Sequence, residues 1–371
     1  MDDADALQWL STDDLTQAVQ RLLADDRARI TSWTRDPLVG SGEAIGVWRL
    51  RGEAIANGTT EAWSIVLKGW SLPETDAAPT SFNWPNREVE LYSSGLLADL
   101  PGGIRAPAWY GTLQRDDGTT WTWLEDITGH ARHPATPDDY ALVAWRLGQF
   151  NGAYLNDTPL PEHPALSNEW LRQWVEAAGP TLERIARKAD HPDVRNIYRP
   201  EVFDGYARLW DTRETSFAVL DRLPRTFAHL DAFRRNIFLR RTPDGDDDIV
   251  LIDWSFAGIA AIGEDLAPLL AAGPWFMDVT VDDAIAMRTP ILAHYLDGLR
   301  DMGWDGDPEE VRAGYEAAVV LRYGLGVIRL GLAIVLDEWP HADVEAATGH
   351  PIADYFDRMN AINRWMLGHS T

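Results

Sequence analysis

The chain of 371 residues contains no cysteine. That absence excludes a disulfide framework, a thiolate zinc site and a cysteine nucleophile. Lysine is almost missing from the first half, where Lys68 stands alone. Long apolar runs are scarce: residues 324–336 are interrupted by Arg329 and fall short of a membrane span. The start of the chain, Met1-Asp2-Asp3-Ala4-Asp5-Ala6, is acidic where a signal peptide is basic. These features lead us to expect a soluble, cytoplasmic protein. Positive charge is also short, and the formal net charge is −25. A surface of that sign repels nucleic acid and anionic lipid, so neither a nucleic-acid nor a membrane partner is expected. It would attract cations such as amino sugars, but it also serves plain solubility.

What remains is the composition of a folded globular protein, 45% hydrophobic and 25% charged. Its length suits one large domain or two lobes around a cleft. Eighteen tryptophans are expected mainly in the core or in cleft walls, with one or two free to stack on a cation. The first 125 or so residues read as strands with one or two helices. Thr12 would cap a helix carrying Leu15, Val19, Leu22 and Leu23 on one face. Residues 38–46 are glycine-rich, residues 47–51 and 63–68 read as strands, 87–97 as a helix, and 108–113 with 119–124 as a hairpin. The second half reads as helices over 141–155, 171–188, 202–220 and from Asp265 onward. A single hairpin, 236–240 with 249–253, interrupts them. Gly148 and Gly152 fall on one helical face, where they would allow close packing.

The chemistry is concentrated in that hairpin. Asp231 and Asn236 lie five residues apart on a loop entering a strand, and Asp253 ends the returning strand. An antiparallel return brings Asp253 back beside Asn236. Two oxygen ligands at such a point suit Mg²⁺, which takes the rest of its shell from substrate phosphates and water. A separate carboxylate, Asp231, would orient an attacking hydroxyl and accept its proton. His229 is expected to brace the loop. Each of these residues alone reads equally as a turn cap; the ordered set points to phosphoryl transfer.

The segment Ala228-His229-Leu230-Asp231-Ala232-Phe233-Arg234-Arg235-Asn236 resembles the catalytic loop of the aminoglycoside phosphotransferase and choline kinase-like enzymes. Val250-Leu251-Ile252-Asp253-Trp254 resembles their metal-binding segment, with Trp254 where protein kinases usually carry phenylalanine. Gly258 and the run Gly263-Glu264-Asp265-Leu266-Ala267 are similar to the stretch that follows. The likeness spans roughly residues 38–300 and is most specific between 225 and 270.

The resemblance implies an α+β, two-lobed protein-kinase-like fold. Residues 1–126 would form an N-terminal antiparallel-sheet lobe that binds nucleotide and carries a helical extension. Residues 127–371 would form a larger, mainly helical lobe with the catalytic loop and the acceptor site. It also implies ATP (or GTP) and Mg²⁺ as cofactors. Lys68 would hold the α and β phosphates, steadied by Glu88 or Glu90, of which Glu88 fits the family's placement better. Gly40, Ser41 and Gly42 would cover the phosphates, although the last glycine of that loop is spaced one residue further than in protein kinases. Main-chain groups near Glu125 and Ile127 would pair with the base. Asn236 and Asp253 would hold the metal, and Arg234, next to Arg235, would either offset phosphate charge or ion-pair outward.

The acceptor would be a small molecule with a hydroxyl, cationic or sugar-like, lying against the helical lobe. Asp278, Asp282, Asp283, Asp297 and Asp301 are candidates to hold it, with Trp275 or Trp304 as stacking surfaces; the other reading is a solvated acidic helix face. Alternatives are a choline-like amine, a sugar, a macrolide or another metabolite as acceptor, and a nucleotide-binding pseudokinase scaffold. A protein kinase ranks last, because Asp253 lacks a following Phe-Gly pair and little room remains for an activation loop. No oligomeric state is implied.

Overall fold

A computed structural model describes residues 7–38, 44–71, 78–82, 84–128, 131–156, 158–241 and 247–368. Its N-terminal part begins with helix α1 (Thr12–Leu23), followed by strands β1 (Arg29–Leu38), β2 (Ala44–Ala56) and β3 (Thr59–Ser71). Helix α2 (Arg87–Ser93), strand β4 (Ile104–Arg105) and the hairpin β5 (Trp109–Gln114) and β6 (Thr119–Glu125) complete it. Five strands form an antiparallel sheet in the order β1-β2-β3-β6-β5.

The cap of α1 is Ser11 rather than Thr12. Its hydroxyl accepts the Asp14 N–H while the Asp14 carboxylate accepts the Ser11 N–H at 2.8 Å, a reciprocal capping box. The strands are longer than their apolar centres. β2 and β3 each run 13 residues and meet at Asn57-Gly58, both at positive φ (51° and 82°), the two-residue turn that matches strand twist. Alternation along β3 buries Trp63, Ile65 and Leu67 under α1, in a core shared with Leu15, Trp48, Leu50, Trp121 and Trp123. The opposite face of the strand carries Ser64, Val66 and Lys68 toward the second lobe, where Val66 packs against the main core.

The rest of the chain is mainly helical: α3 (Pro137–Ala153), α4 (Trp170–Ala178), α5 (Pro180–Arg187), α6 (Pro192–Ile197) and α7 (Pro200–Arg222), then α8 (Ala267–Ala271) and α9 (Val281–Asp301). After these come α10 (Pro308–Ala318), α11 (Ile328–Val335), α12 (His341–Thr348) and α13 (Ile352–Gly368). The single helix expected over 171–188 is two, because Pro180 cannot continue the hydrogen-bond ladder after Gly179. Helices α3 and α9 lie in close contact. A Cβ on Gly148 would stand 2.2 Å from the Tyr295 carbonyl oxygen, and one on Gly298 would stand 2.0 Å from that of Trp145.

Between α7 and α8, β8 (Arg225–Ala228) pairs with β11 (Gly258–Ala261), and β9 (Ile237–Arg241) pairs with β10 (Asp247–Leu251) in a sheet ordered β4-β10-β9-β7, where β7 is Ala131–Arg132. These short strands hold the loops of interest over the helices.

From Pro308 to Val335 the chain is helical without a break, through a π-helical segment at Val319–Gly326. This 28-residue helix extends well before the apolar run read at 324–336 and, by length and composition, is long and apolar enough to cross a membrane. However, 78% of its most apolar window is buried inside the protein, which marks a core helix.

Candidate active site

Strand β8 delivers the chain into His229, and the loop to Asn236 is held at almost every atom. Leu230 adopts φ +64°, unusual for a branched residue. The Asp265 carboxylate accepts the N–H groups of His229 (3.2 Å) and Leu230 (2.6 Å), fixing that turn from beneath. His229 Nδ1 accepts the Asp231 N–H at 3.1 Å, so Nε2 carries the proton and donates to the Ile252 carbonyl at 3.0 Å. Burial pushes the imidazole down to about 4, against the pull of Asp253 and the Ile252 carbonyl. His229 is therefore a neutral brace between the loop and β10.

The Asp231 carboxylate is gripped at both oxygens. Asn236 Nδ2 donates to Oδ2 at 2.9 Å and to the Asp231 carbonyl at 3.0 Å. Arg322, from the π-helical segment, donates from Nη2 to Oδ1 at 2.5 Å and from Nη1 to the Leu230 carbonyl. Burial lifts the Asp231 carboxyl to about 6, with Arg322 opposing the rise and Asp253 adding to it.

Strand β10 returns beside β9, and the Ile252 N–H reaches the Asn236 carbonyl at 3.0 Å. Asp253 follows at φ +63°. Its Oδ1 accepts Ser255 Oγ at 2.9 Å and faces Lys68 Nζ at 3.4 Å. Lys68 Nζ lies 2.6 Å from Glu88 Oε2; Glu88 is buried and Lys68 mostly so. Burial works against the Lys68 charge, but Asp253 and Glu88 outweigh it and hold the ammonium above its ordinary value. The same lysine, with Ser255, keeps Asp253 below the usual carboxylate range although burial opposes this. Glu90 is exposed, so the choice between the two glutamates falls on Glu88.

Arg87, next to Glu88, is fully buried and has no carboxylate partner among the described residues. Its guanidinium donates to the carbonyls of Ala165 (2.7 Å), Ser255 (2.7 Å), Pro79 (3.1 Å), Phe82 (3.3 Å) and Ser81. Burial depresses it to about 10. Arg87 thus ties α2 to the loop after Asp253.

At the junction of the lobes, the Glu125 side chain turns to Arg105 (2.6 and 2.9 Å), and its N–H is taken by the Ala108 carbonyl. Ile127 packs with Phe238 and Val250. Asp126, between them, is anchored by Arg49 (2.8 Å), by Ser64 (2.5 Å) and by the hydroxyl of Thr128 (2.6 Å). Gly40, Ser41 and Gly42 lie outside the described residues.

The expected acceptor surface takes a different form. Asp278 is nearly buried and ion-paired with Arg234 (3.4 Å) and Arg235 (3.2 Å). Arg234 also donates to the Pro134 carbonyl at 2.9 Å. Asp283 closes the capping box of α9 with Thr280. Asp297 and Asp301 lie further along that helix, about 21 and 27 Å away at 1.5 Å per residue, and Asp301 accepts from Trp145. Trp275 and Trp304 belong to the core and offer no open stacking face.

Asn236 Oδ1 and Asp253 Oδ2 accept no hydrogen bond among the described residues. This leaves two oxygen donors on adjacent strand ends, the hard donor set that suits Mg²⁺. Also among the described residues, no group of three His, Asp or Glu side chains could hold a metal. A cation here would therefore need phosphate oxygens and water to complete its shell.

A lobe of antiparallel strands over a helical lobe, with a lysine–glutamate pair facing a loop aspartate, is the arrangement of the kinase-like fold. The chain belongs to the phosphotransferase enzyme family, whose model matches residues 87–310. Solved structures of the same fold include a Plasmodium vivax ethanolamine kinase, at 13% identity and TM-score 0.52, covering 90% of this chain and 83% of that one. An amicoumacin kinase in complex with AMP-PNP, Ca²⁺ and Ami matches at 15% identity and TM-score 0.51, covering 87% of each chain. A GDP complex of an aminoglycoside 2'-phosphotransferase matches at 14% identity and TM-score 0.50, covering 97% of this chain and 100% of that one. Among curated proteins, none matches by sequence.

Proposed function

We propose that this phosphotransferase moves the γ-phosphoryl group of ATP to a hydroxyl of a small acceptor, with Mg²⁺ present. The observation that carries the reading is the meeting of Lys68, Glu88 and Asp253 on one side of the cleft with Asp231 and Asn236 on the other. Transfer through a loose transition state depends on position and charge neutralisation more than on covalent help.

Lys68 has one N–H donor beyond the two used by Glu88 and Asp253, and it would hold the α and β phosphates. Glu88 keeps that ammonium in place. Main-chain groups beside Glu125 and Ile127 would receive the base, on a connector that Asp126 anchors to β2 and β3. GTP as donor is separated from ATP by direct comparison of rates. Gly40, Ser41 and Gly42 would cover the phosphates. Asn236 and Asp253 would bind Mg²⁺, which would neutralise phosphate charge as the bond to the leaving oxygen lengthens. Asp231 orients the acceptor hydroxyl and takes its proton. His229 holds Asp231 through the loop, and Arg234 keeps positive charge beside it.

The test is ADP release from Mg·ATP with and without hydroxyl acceptors. The reading expects release that an acceptor stimulates and EDTA abolishes. Binding of Mg·ATP with no release under any condition would contradict it.

A further inference from the structure

Asp231 is gripped by a residue far from it in the chain, and that residue is itself held by aromatic rings. Arg322 is 8% exposed and is the one charged residue of the π-helical segment Val319–Gly326. A guanidinium is costly to bury unless its donors are met. Nη2 donates to Asp231 Oδ1 at 2.5 Å, and Nη1 donates to the Leu230 carbonyl. The fork therefore ties the Asp231 side chain to the main chain one residue earlier, at the turn where Leu230 adopts φ +64°. Its guanidinium carbon lies 4.8 Å from the ring centre of Trp170, 5.2 Å from that of Tyr323 and 5.4 Å from that of Phe256. Rings at that range favour a cation and restrict its plane.

The rings belong to separate elements. Trp170 opens α4 and donates its indole N–H to Glu264 at 3.2 Å. Phe256 lies three residues after Asp253. One guanidinium thus refers Asp231 to the segment that follows Asp253, the other half of the site. Burial opposes the charge of Arg322, but Tyr323, Asp231 and Glu264 outweigh it and hold the guanidinium above its ordinary value. Asp253 and Asp265 add further negative charge around the same loop. Among the described residues, Arg322 is the cation in contact with Asp231.

This contact bears on how Asp231 can act. The last torsion of an aspartate is broad, so a single hydrogen bond leaves the carboxylate plane loosely set. Here Asn236 donates to Oδ2 and Arg322 to Oδ1, so both oxygens are held. Each oxygen has two lone pairs, and one on each remains for an incoming hydroxyl. The side chain keeps 13% of its surface exposed, enough to be reached.

We infer that Arg322 is a positioning residue for phosphoryl transfer. By holding Oδ1 while Asn236 holds Oδ2, it fixes the plane of the Asp231 carboxylate and aims the remaining lone pairs at the acceptor hydroxyl. This rests on the phosphotransferase reading of the site. Among the described residues its hydrogen bonds go to Leu230 and Asp231 alone, so its loss should spare nucleotide binding.

The experiment measures ADP release from Mg·ATP at neutral pH, with water as the acceptor, and Mg·ATP binding on the same preparations. It compares wild type, Arg322→Met, Arg322→Lys, Asp231→Ala and the double variant Asp231→Ala/Arg322→Met, each checked for folding by circular dichroism. Arg322→Met is expected to lower kcat on the order of 10²-fold, as for a misplaced catalytic group. Arg322→Lys keeps the charge but not the two-point contact and should lose about tenfold. KM for ATP should stay unchanged in both. In the Asp231→Ala background, Arg322→Met should cost less than about twofold, because the carboxylate through which it acts is gone. Where Arg322→Met does not fold, Arg322→Lys carries the comparison. Wild-type kcat in a folded Arg322 variant, a raised KM for ATP with kcat kept, or an undiminished effect of Arg322→Met in the Asp231→Ala background overturns the inference and leaves the phosphotransferase reading standing. If wild type transfers phosphate to nothing, water included, the functional reading fails and the inference with it.

Discussion

Arg87 donates to the main-chain carbonyl of Ser255 at 2.7 Å, joining the helix that carries Glu88 to the loop that carries Asp253. Lys68 bridges the same two elements from the other side through Glu88 and Asp253. The position of the ammonium is therefore set by contacts on both sides of it. Arg87→Met would leave several buried carbonyls without donors. The expected loss is roughly 2–4 kcal/mol of stability, together with a higher KM for ATP. Denaturant unfolding and steady-state kinetics check both; unchanged stability would show that solvent reaches those carbonyls.

Lys68→Met removes the charge expected at the phosphates. A fall in kcat/KM on the order of 10²-fold is expected, as for loss of a preorganised donor. Glu88→Gln should move the same parameters in the same direction by less, because it leaves the ammonium in place and only loosens it. A Glu88→Gln effect larger than that of Lys68→Met would reverse the proposed order of action.

The pH profile should report Asp231. Burial lifts its carboxyl to about 6, and the ionised form is the one that accepts a proton. On the acid side kcat/KM should therefore fall below about pH 6, approaching tenfold per pH unit. Arg322 opposes that rise, so Arg322→Met should move the limb to higher pH. An acid limb near the ordinary carboxylate value of about 4 would contradict the assignment.

His229 leaves a mark on stability, and it too is lost on acidification. It titrates near 6.5 when unfolded and about 4 when folded. Between those values only the unfolded chain binds the proton, so this group's contribution is full above 6.5 and is lost as pH falls through the window toward 4. His229→Gln removes that component. Its melting temperature should decline less than the wild type's between pH 6.5 and 4; parallel declines would mean the imidazole is not held neutral.

How much of this was readable before the fold depends on sequence distance. Asp231, Asn236 and Asp253 lie within a loop and a hairpin, so their proximity follows from local geometry. Lys68 had no competitor in the first half, whereas Glu88 and Glu90 could be separated only by the direction α2 faces. Strand β1 passed unread because its residues show little hydrophobic contrast and include Pro37, which an edge strand tolerates. Arg322 lies 91 residues from Asp231, and nothing local predicts their contact. The available signal was a single arginine within the apolar segment Val319–Gly326, a charge expensive to bury without a partner. Arg87 gave less warning still, since its partners are carbonyls, which every sequence has. Of the acidic residues of α9, Asp283 is spent on the helix cap with Thr280 and Asp301 on the Trp145 indole, partners that charge alone does not reveal.

The central claim is that Asp231 acts on the acceptor hydroxyl while the nucleotide is held elsewhere. The most direct measurement compares Asp231→Ala with wild type for phosphoryl transfer and for Mg·ATP binding on the same preparation. The account predicts a fall in kcat of roughly 10²–10⁴-fold with ATP affinity nearly kept. Full turnover in Asp231→Ala would contradict it.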